Sequence, residues 1–182
     1  MKPTKPSSAA NDLKRRVAIE QAARSSLPDK ASSRLSANDW EAANKAIWDD
    51  IDKIDAKNTL YLKSILPADG WFRFKRDRKQ MARDAWLIVQ HSPDRKFQRR
   101  VLGLMAPLLA TGDASGSDYA LLYDRVAIFE GKPQRYGSQL TCMNGRFEPS
   151  AVENALKLDE LRASVGLEPI ASYLRHWDGK TC

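Results

Sequence analysis

Apolar residues return at spacings of three and four along most of this chain, the signature of amphipathic helices. Leu13, Val17, Ala18 and Ala22 predict a helix from Asp12 to about Ser26, ending before Pro28. Trp40, Ala43, Ile47, Ile51 and Ile54 form a second stripe, which Ser36 or Asn38 can cap. Leu60, Leu62, Ile65 and Leu66 suggest a short helix of their own before the turn at residues 67–70. Met81, Ala85, Ile88 and Val89, with Trp86 beside them, carry a helix up to His91. Ser92-Pro93 then reads as a break and a new helix start, because proline at the first helical position gives up no hydrogen bond. Phe97, Val101, Leu104, Met105 and Leu108 carry the helix that follows.

After a Gly/Ser loop at residues 111–117, Tyr119, Leu122, Val126 and Phe129 share one face of a helix that ends at Gly131. The period then changes. Residues 134–143 read as extended, Asn144-Gly145 as a hairpin turn, and residues 146–148 as the return strand. Helix resumes after Pro149, and a last helix spans residues 170–177. The expected fold is mainly α: one compact domain over residues 12–182, about seven helices and one small β-hairpin near residues 134–148. Residues 1–11, rich in Pro, Ser, Lys and Ala, read as a disordered lead-in.

Composition narrows the setting. With 182 residues, 42% of them hydrophobic, the chain can bury a real core. No apolar run approaches the roughly 20 residues needed to span a bilayer, so no membrane partner is expected. The N-terminus lacks the apolar segment of a secretory signal, which makes the cytoplasm the default location. The two cysteines, Cys142 and Cys182, are then expected as free thiols.

The net charge of +7 is uneven. Residues 71–100 hold ten basic and three acidic residues, whereas residues 101–182 hold eight and ten. The block at residues 71–79 also interleaves Trp71, Phe72 and Phe74 with Arg73, Lys75, Arg76, Arg78 and Lys79. Charge beside stacking groups invites a nucleic-acid reading. A solvated helix face with the aromatic rings packed inside is the favoured one, and no zinc finger, RNP-type strand or P-loop is present.

Candidate chemistry concentrates between residues 86 and 139. His91 ends an apolar helix, where the helix C-terminus favours a cation. It reads either as a helix cap or core hydrogen-bonder, or as an acid or base with Asp94 or Asp124 orienting it. The only other histidine is His176, which excludes a histidine-rich metal site; a mixed site of His91 with Asp94 and Asp124 stays open, but no metal-ligand spacing such as H-E-x-x-H occurs, and neither metal nor cofactor is expected. Asp124 and Arg125, as helix neighbours, point about 100° apart and each needs another partner. An ion-pair network with Glu20, Arg24, Asp159 or Arg162 is one source of partners. If residues 134–139 are extended, Gln134, Tyr136 and Ser138 face one side and Arg135 and Gln139 the other. Such a face is either a ligand strip or an ordinary solvated one. Ser138 lacks the G-x-S-x-G elbow of a nucleophile.

The order H-x-x-D (His91, Asp94), F-Q (Phe97, Gln98), Y-A-x-L-x-D-R (Tyr119 to Arg125), G-x-x-Q-x-Y-G-S-Q (Gly131 to Gln139) and D-x-x-R-x-x-x-G-L-x-P (Asp159 to Pro169) resembles an uncharacterised bacterial domain family of unknown function. Glu20-Gln21-x-x-Arg24 is similar to that family's D-Q-x-x-R with Glu for Asp, and Asp55-x-x-Asn58 and Gly70-Trp71 also fit. The family's usual proline after Gly-Trp is Phe72 here. The resemblance spans about residues 13–175 and implies a bacterial origin and a shared helical fold, with no activity attached.

The residues themselves suggest a cofactor-independent acid–base enzyme, hydrolytic or proton-transferring, acting on a small molecule or peptide. His91, Asp94 and Asp124 would be catalytic, and Gln98, Arg125, Gln134, Tyr136, Ser138 and Gln139 would hold substrate in one polar pocket. The alternatives are a non-catalytic module that binds a protein partner, of inhibitor or immunity type, and, less favoured, a nucleic-acid accessory protein using residues 71–100.

Overall fold

Eight helices and one two-stranded antiparallel sheet make up a computed structural model that describes residues 6–27 and 34–180. The fold is mainly α, as the hydrophobic period predicts. No helix among the described residues is long and apolar enough to cross a membrane. The chain forms two compact units, the first ending at Asp94 and the second holding residues 95–182 with a short excursion at residues 73–75.

The first unit packs three long helices against one another: α1 (Pro6–Ser25), α2 (Ala37–Ser64) and α4 (Lys79–His91). The short α3 (Phe74–Asp77) precedes α4 in the chain, and its first two residues belong to the second unit. α1 begins at Pro6 rather than Asp12, and Ala9 and Leu13 are buried along it. Its first turns are therefore structured over residues that composition alone assigns to a lead-in; residues 1–5 lie outside the described part. α2 runs unbroken through residues 59–64, where a separate helix was expected. Thr59 and Leu62 continue the buried face of Ile51 and Asp55, so nothing interrupts the stripe. Ser36 caps α2, its Oγ accepting from the Asp39 N–H at 3.2 Å. On α4 the buried face holds Ala82, Ala85, Trp86, Ile88 and Val89.

At one level this core turns polar. Glu20, Asp55, Asn58, Thr59 and Ser92 are all buried. A buried polar group costs stability unless it is hydrogen-bonded, so each needs a partner there. Thr59 donates to the Ser92 hydroxyl at 2.9 Å, and that hydroxyl accepts from the Asp94 N–H at 3.1 Å. Ser92 thus makes a local turn, and the next helix starts at Arg95, two residues later than the Ser-Pro pair suggests.

The second unit holds α5 (Arg95–Leu109), α6 (Gly116–Phe129), β1 (Leu140–Met143), β2 (Arg146–Pro149), a 3-10 turn (Ala155–Lys157), α7 (Leu158–Ser164) and α8 (Ile170–Arg175). Phe97, Val101, Met105 and Leu108 of α5 are buried, and α5 packs on α6. Gly116 opens α6 where a Cβ would lie 2.7 Å from the Val165 carbonyl oxygen, so only glycine fits. The hairpin turns at Asn144-Gly145, pairing Met143 with Arg146. It is shorter than expected: residues 134–139 lie outside the ladder, and Gln134 makes only a single parallel bridge with Val152. Helix resumes only at residues 155–158 rather than straight after Pro149.

Cys142 is disulfide-bonded, contrary to the expected free thiol. That expectation came from an argument about compartment, which carries no geometry. Cys182 lies outside the described residues.

Candidate active site

Arg16, Glu20 and Arg24 stand one helical turn apart on α1, and Asp55 and Asn58 stand about one turn apart on α2. The two helices form polar rungs. Arg24 donates from a terminal guanidinium nitrogen to Asp55 Oδ2 at 2.5 Å, and Arg16 donates to Asn58 Oδ1 at 3.1 Å. Between these rungs sits Glu20, fully buried. Its Oε1 accepts from Arg24 Nε at 3.1 Å and is hydrogen-bonded to Nδ1 of His91, at the last residue of α4.

Burial separates the members of this cluster. The side chains of Glu20 and Asp55 are 1% and 7% exposed, whereas those of His91 and Arg24 are 22% and 20% exposed. Imidazole and guanidinium therefore form the accessible layer, with the carboxylates behind them. Burial pushes Asp55 up to about 6, against the pull of Arg24. Two carboxylate oxygens, Glu20 Oε2 and Asp55 Oδ1, are buried with no hydrogen-bond partner. Such orphaned acceptors are rare in folded proteins and mark a place where a donor belongs. The guanidinium of Arg24 is the cation that the two carboxylates share. Trp48, 41% exposed, lies alongside, with its ring 5.7 Å from that guanidinium.

The carboxylate that holds His91 is thus Glu20, rather than Asp94 or Asp124. Asp94 instead takes an ion pair from Lys63 at 2.5 Å. Asp124, fully buried on α6, accepts from three backbone N–H groups: Arg135 and Tyr136 at its Oδ1 (2.8 and 3.0 Å) and Ser138 at its Oδ2 (2.8 Å). Residues 135–138 wrap around the carboxylate, with Gly137 at a φ of +63° to close the turn. Arg162, 1% exposed, braces the same turn by donating to the Tyr136 carbonyl at 2.7 Å and to the Glu168 carbonyl at 2.6 Å.

Gln134 is engaged in the same way. Its side-chain amide donates to the carbonyls of Gln139 (2.9 Å) and Ser150 (2.7 Å) and accepts from the Gln139 N–H (2.8 Å). Gln134, Tyr136 and Ser138 are buried, while Arg135 and Gln139 are half-buried. Tyr136 packs edge-on against Tyr123, with ring centroids 5.8 Å apart. Gln139 donates weakly to the Ser138 hydroxyl at 3.2 Å. Gln98 is buried on α5 and Arg125 is half-buried on α6. A cavity of about 380 Å³ in this unit is lined by Ser138, Arg162 and Tyr173, among others. Arg162 is committed there to two carbonyls, and Glu168, also in the lining, is paired with His176 at 3.0 Å.

The residues that carry the cluster, Glu20, Arg24, Asp55 and Asn58, had a visible signal. They stand at helical spacings i, i+4 and i, i+3 within otherwise apolar stripes, where a charge has to be paired. The sequence does not say that α1 and α2 face each other, and that pairing is what makes the cluster.

A mainly helical protein with a buried carboxylate–imidazole–guanidinium cluster in its first unit is the class these features define. The chain belongs to the family of unknown function DUF6624, whose model matches residues 17–180. No curated protein and no solved structure matches it.

Proposed function

We propose that this protein is a small acid–base enzyme that works without a cofactor, with His91 as the proton-transfer group and Glu20 as the residue that positions it. The observation that carries this reading is the hydrogen bond between Glu20 and His91 Nδ1. A carboxylate at Nδ1 holds a proton on that nitrogen and leaves Nε2 as the basic one. Nε2 has no hydrogen-bond partner among the described residues, on a ring that is partly exposed. In the forward step Nε2 takes a proton from a bound water or from an O–H or N–H of the substrate. The buried carboxylate of Glu20 stabilises the imidazolium that forms, and the proton returns to the leaving atom or to the product. Arg24 donates to both carboxylates, Glu20 and Asp55, and so offsets part of the negative charge behind the imidazole. A small molecule or peptide would meet the accessible layer of His91 and Arg24, with the unpaired oxygens Glu20 Oε2 and Asp55 Oδ1 buried behind it.

A bacterial origin belongs to the same reading, through the shared motifs. A cytoplasmic location fits it less well, because a disulfide such as that at Cys142 survives where thiols are not kept reduced.

Diethyl pyrocarbonate, which acylates unprotonated imidazole nitrogen, tests the dyad before any substrate is known. Peptide mapping near neutral pH should show His91 modified at Nε2, with a rate that changes several-fold in Glu20→Gln. His176, exposed and beside Glu168, serves as the internal reference. A His91 that resists the reagent, or a rate that ignores Glu20→Gln, would remove the basis for acid–base catalysis here. In a hydrolase screen, His91→Gln should abolish whatever turnover is found while leaving the circular dichroism spectrum unchanged.

A further inference from the structure

One turn before Glu20 on α1, the first unit holds a smaller cavity of about 180 Å³, lined by Arg15, Arg16, Ile19, Ile54, Lys57 and Asn58. Three of the six are cationic. Two of the six also carry hydrogen-bond donors that are buried and unpaired: Nε of Arg16 and Nδ2 of Asn58. The Asn58 amide cannot turn to relieve this. Arg16 donates to its Oδ1 at 3.1 Å, and a guanidinium has no acceptor to offer, so Oδ1 must face Arg16 and Nδ2 must be the free end. Asn58 is 3% exposed, so bulk water does not satisfy that N–H group.

The guanidinium of Arg16 is held in place as well. It stacks over the Tyr61 ring at 4.0 Å, and the Tyr61 hydroxyl is anchored to Asp12 at 3.4 Å. Asp12 also pairs with Arg15 at 3.3 Å, which leaves the cations in excess around the cavity.

We infer that this cavity is a binding site for a small oxyanion, the carboxylate or phosphoryl group of a ligand. An oxyanion supplies what the site lacks: acceptor oxygens for the two orphaned donors and negative charge opposite Arg16, Lys57 and Arg15. Arg16 Nε and Asn58 Nδ2 bind its oxygens directly, while Lys57 and Arg15 add electrostatic attraction from more exposed positions. Ile19 and Ile54 supply apolar wall, which suits a ligand with a short carbon chain behind its anionic head. The volume holds one such group and little more.

The inference goes beyond the acid–base reading and does not depend on it, since binding is measured without turnover. The experiment is a titration of the full-length protein with inorganic phosphate and, separately, with sodium acetate. Ionic strength is held constant with sodium chloride, and the Arg16 Nε–H and Asn58 side-chain NH₂ resonances are followed by NMR. Both should move and saturate, and the probe that saturates at the lower concentration identifies the preferred head group. Asn58→Asp replaces the donor by a carboxylate that still pairs with Arg16, and should weaken binding roughly tenfold or more. Signals that move no more than in chloride alone, or that never saturate, would overturn the site on the wild-type protein by itself. Saturation that is unchanged in Asn58→Asp would show that the anion binds elsewhere.

Discussion

At the scale of single residues, Asp55 makes the sharpest claim. Its carboxyl is raised from 3.8 to about 6 because burial penalises the anion more than Arg24 favours it. The folded state therefore holds this proton more tightly than the unfolded chain does. The stability it contributes is fully present below about pH 4 and is lost as pH rises through about 6. A shift of that size corresponds to something on the order of 3 kcal/mol. Urea denaturation between pH 4 and 7.5 should show wild-type stability falling relative to Asp55→Asn across this window, with the variant's profile flatter. Parallel profiles for the two proteins would mean that Asp55 titrates as it does in the unfolded chain. The same logic bears on His91: its partner Glu20 lies in the same buried layer as Asp55, so the proton that Asp55 takes up changes the charge felt by the dyad. A pH–rate profile of any activity should accordingly lose in Asp55→Asn the inflection near pH 6 that this carboxyl contributes.

At the scale of elements, the turn at residues 134–139 shows how a functional-looking sequence can be structural. Asp124 gathers three backbone N–H groups, so its loss should be felt as stability rather than as binding. Asp124→Asn keeps the shape but replaces one acceptor oxygen by a donor facing those N–H groups, and should cost at least about 3 kcal/mol in chemical denaturation. Gly137→Ala, in the same turn, should cost only about 1 kcal/mol. Its Cβ would meet Leu158 at 3.4 Å, an ordinary contact, and the penalty is the backbone at positive φ. A larger loss for Gly137→Ala than for Asp124→Asn would show that backbone conformation, and not the carboxylate, organises the turn.

This element also marks the limit of what the chain discloses in one dimension. The helices were legible because burial repeats with the helical period, and the α5 residues Phe97, Val101, Met105 and Leu108 are buried as that period requires. Side-chain alternation assumes an extended strand at residues 134–139, and the chain turns there instead, with Gly137 at positive φ. Nor can alternation tell a ligand-facing side from a protein-facing one, because a buried carboxylate with three N–H donors leaves no mark on the spacing. The candidate site was legible in half: His91 stands out, but its partner lies 71 positions away on another helix. Only the packing of α1 against α4 brings Glu20 to it.

At the scale of the whole molecule, the excess of positive charge asks whether this protein holds nucleic acid. Charge alone draws any polyanion, and selectivity for single strands requires aromatic rings that bases can stack on. In the basic block two of the three rings are withdrawn, Trp71 at 3% and Phe72 at 2% exposed, and Phe74 is half-buried. Some of the charge is also paired, although it stays at the surface. Arg76 pairs with Asp69 and Asp77, both at 2.7 Å, and Lys75 donates to the Thr111 carbonyl at 2.9 Å. What remains among the described residues is a diffuse positive field with at most one half-buried ring, Phe74, beside it. Binding to a single-stranded oligonucleotide should then be weak and indifferent to sequence. It should disappear with rising salt along a log–log slope of roughly −0.7 for each phosphate neutralised. Fluorescence anisotropy from 25 to about 250 mM salt, with several sequences of equal length, measures this directly. Affinity that persists at high salt, or that separates one sequence from another by more than about tenfold, would require a stacking surface that Trp71 and Phe72 cannot provide from where they are packed.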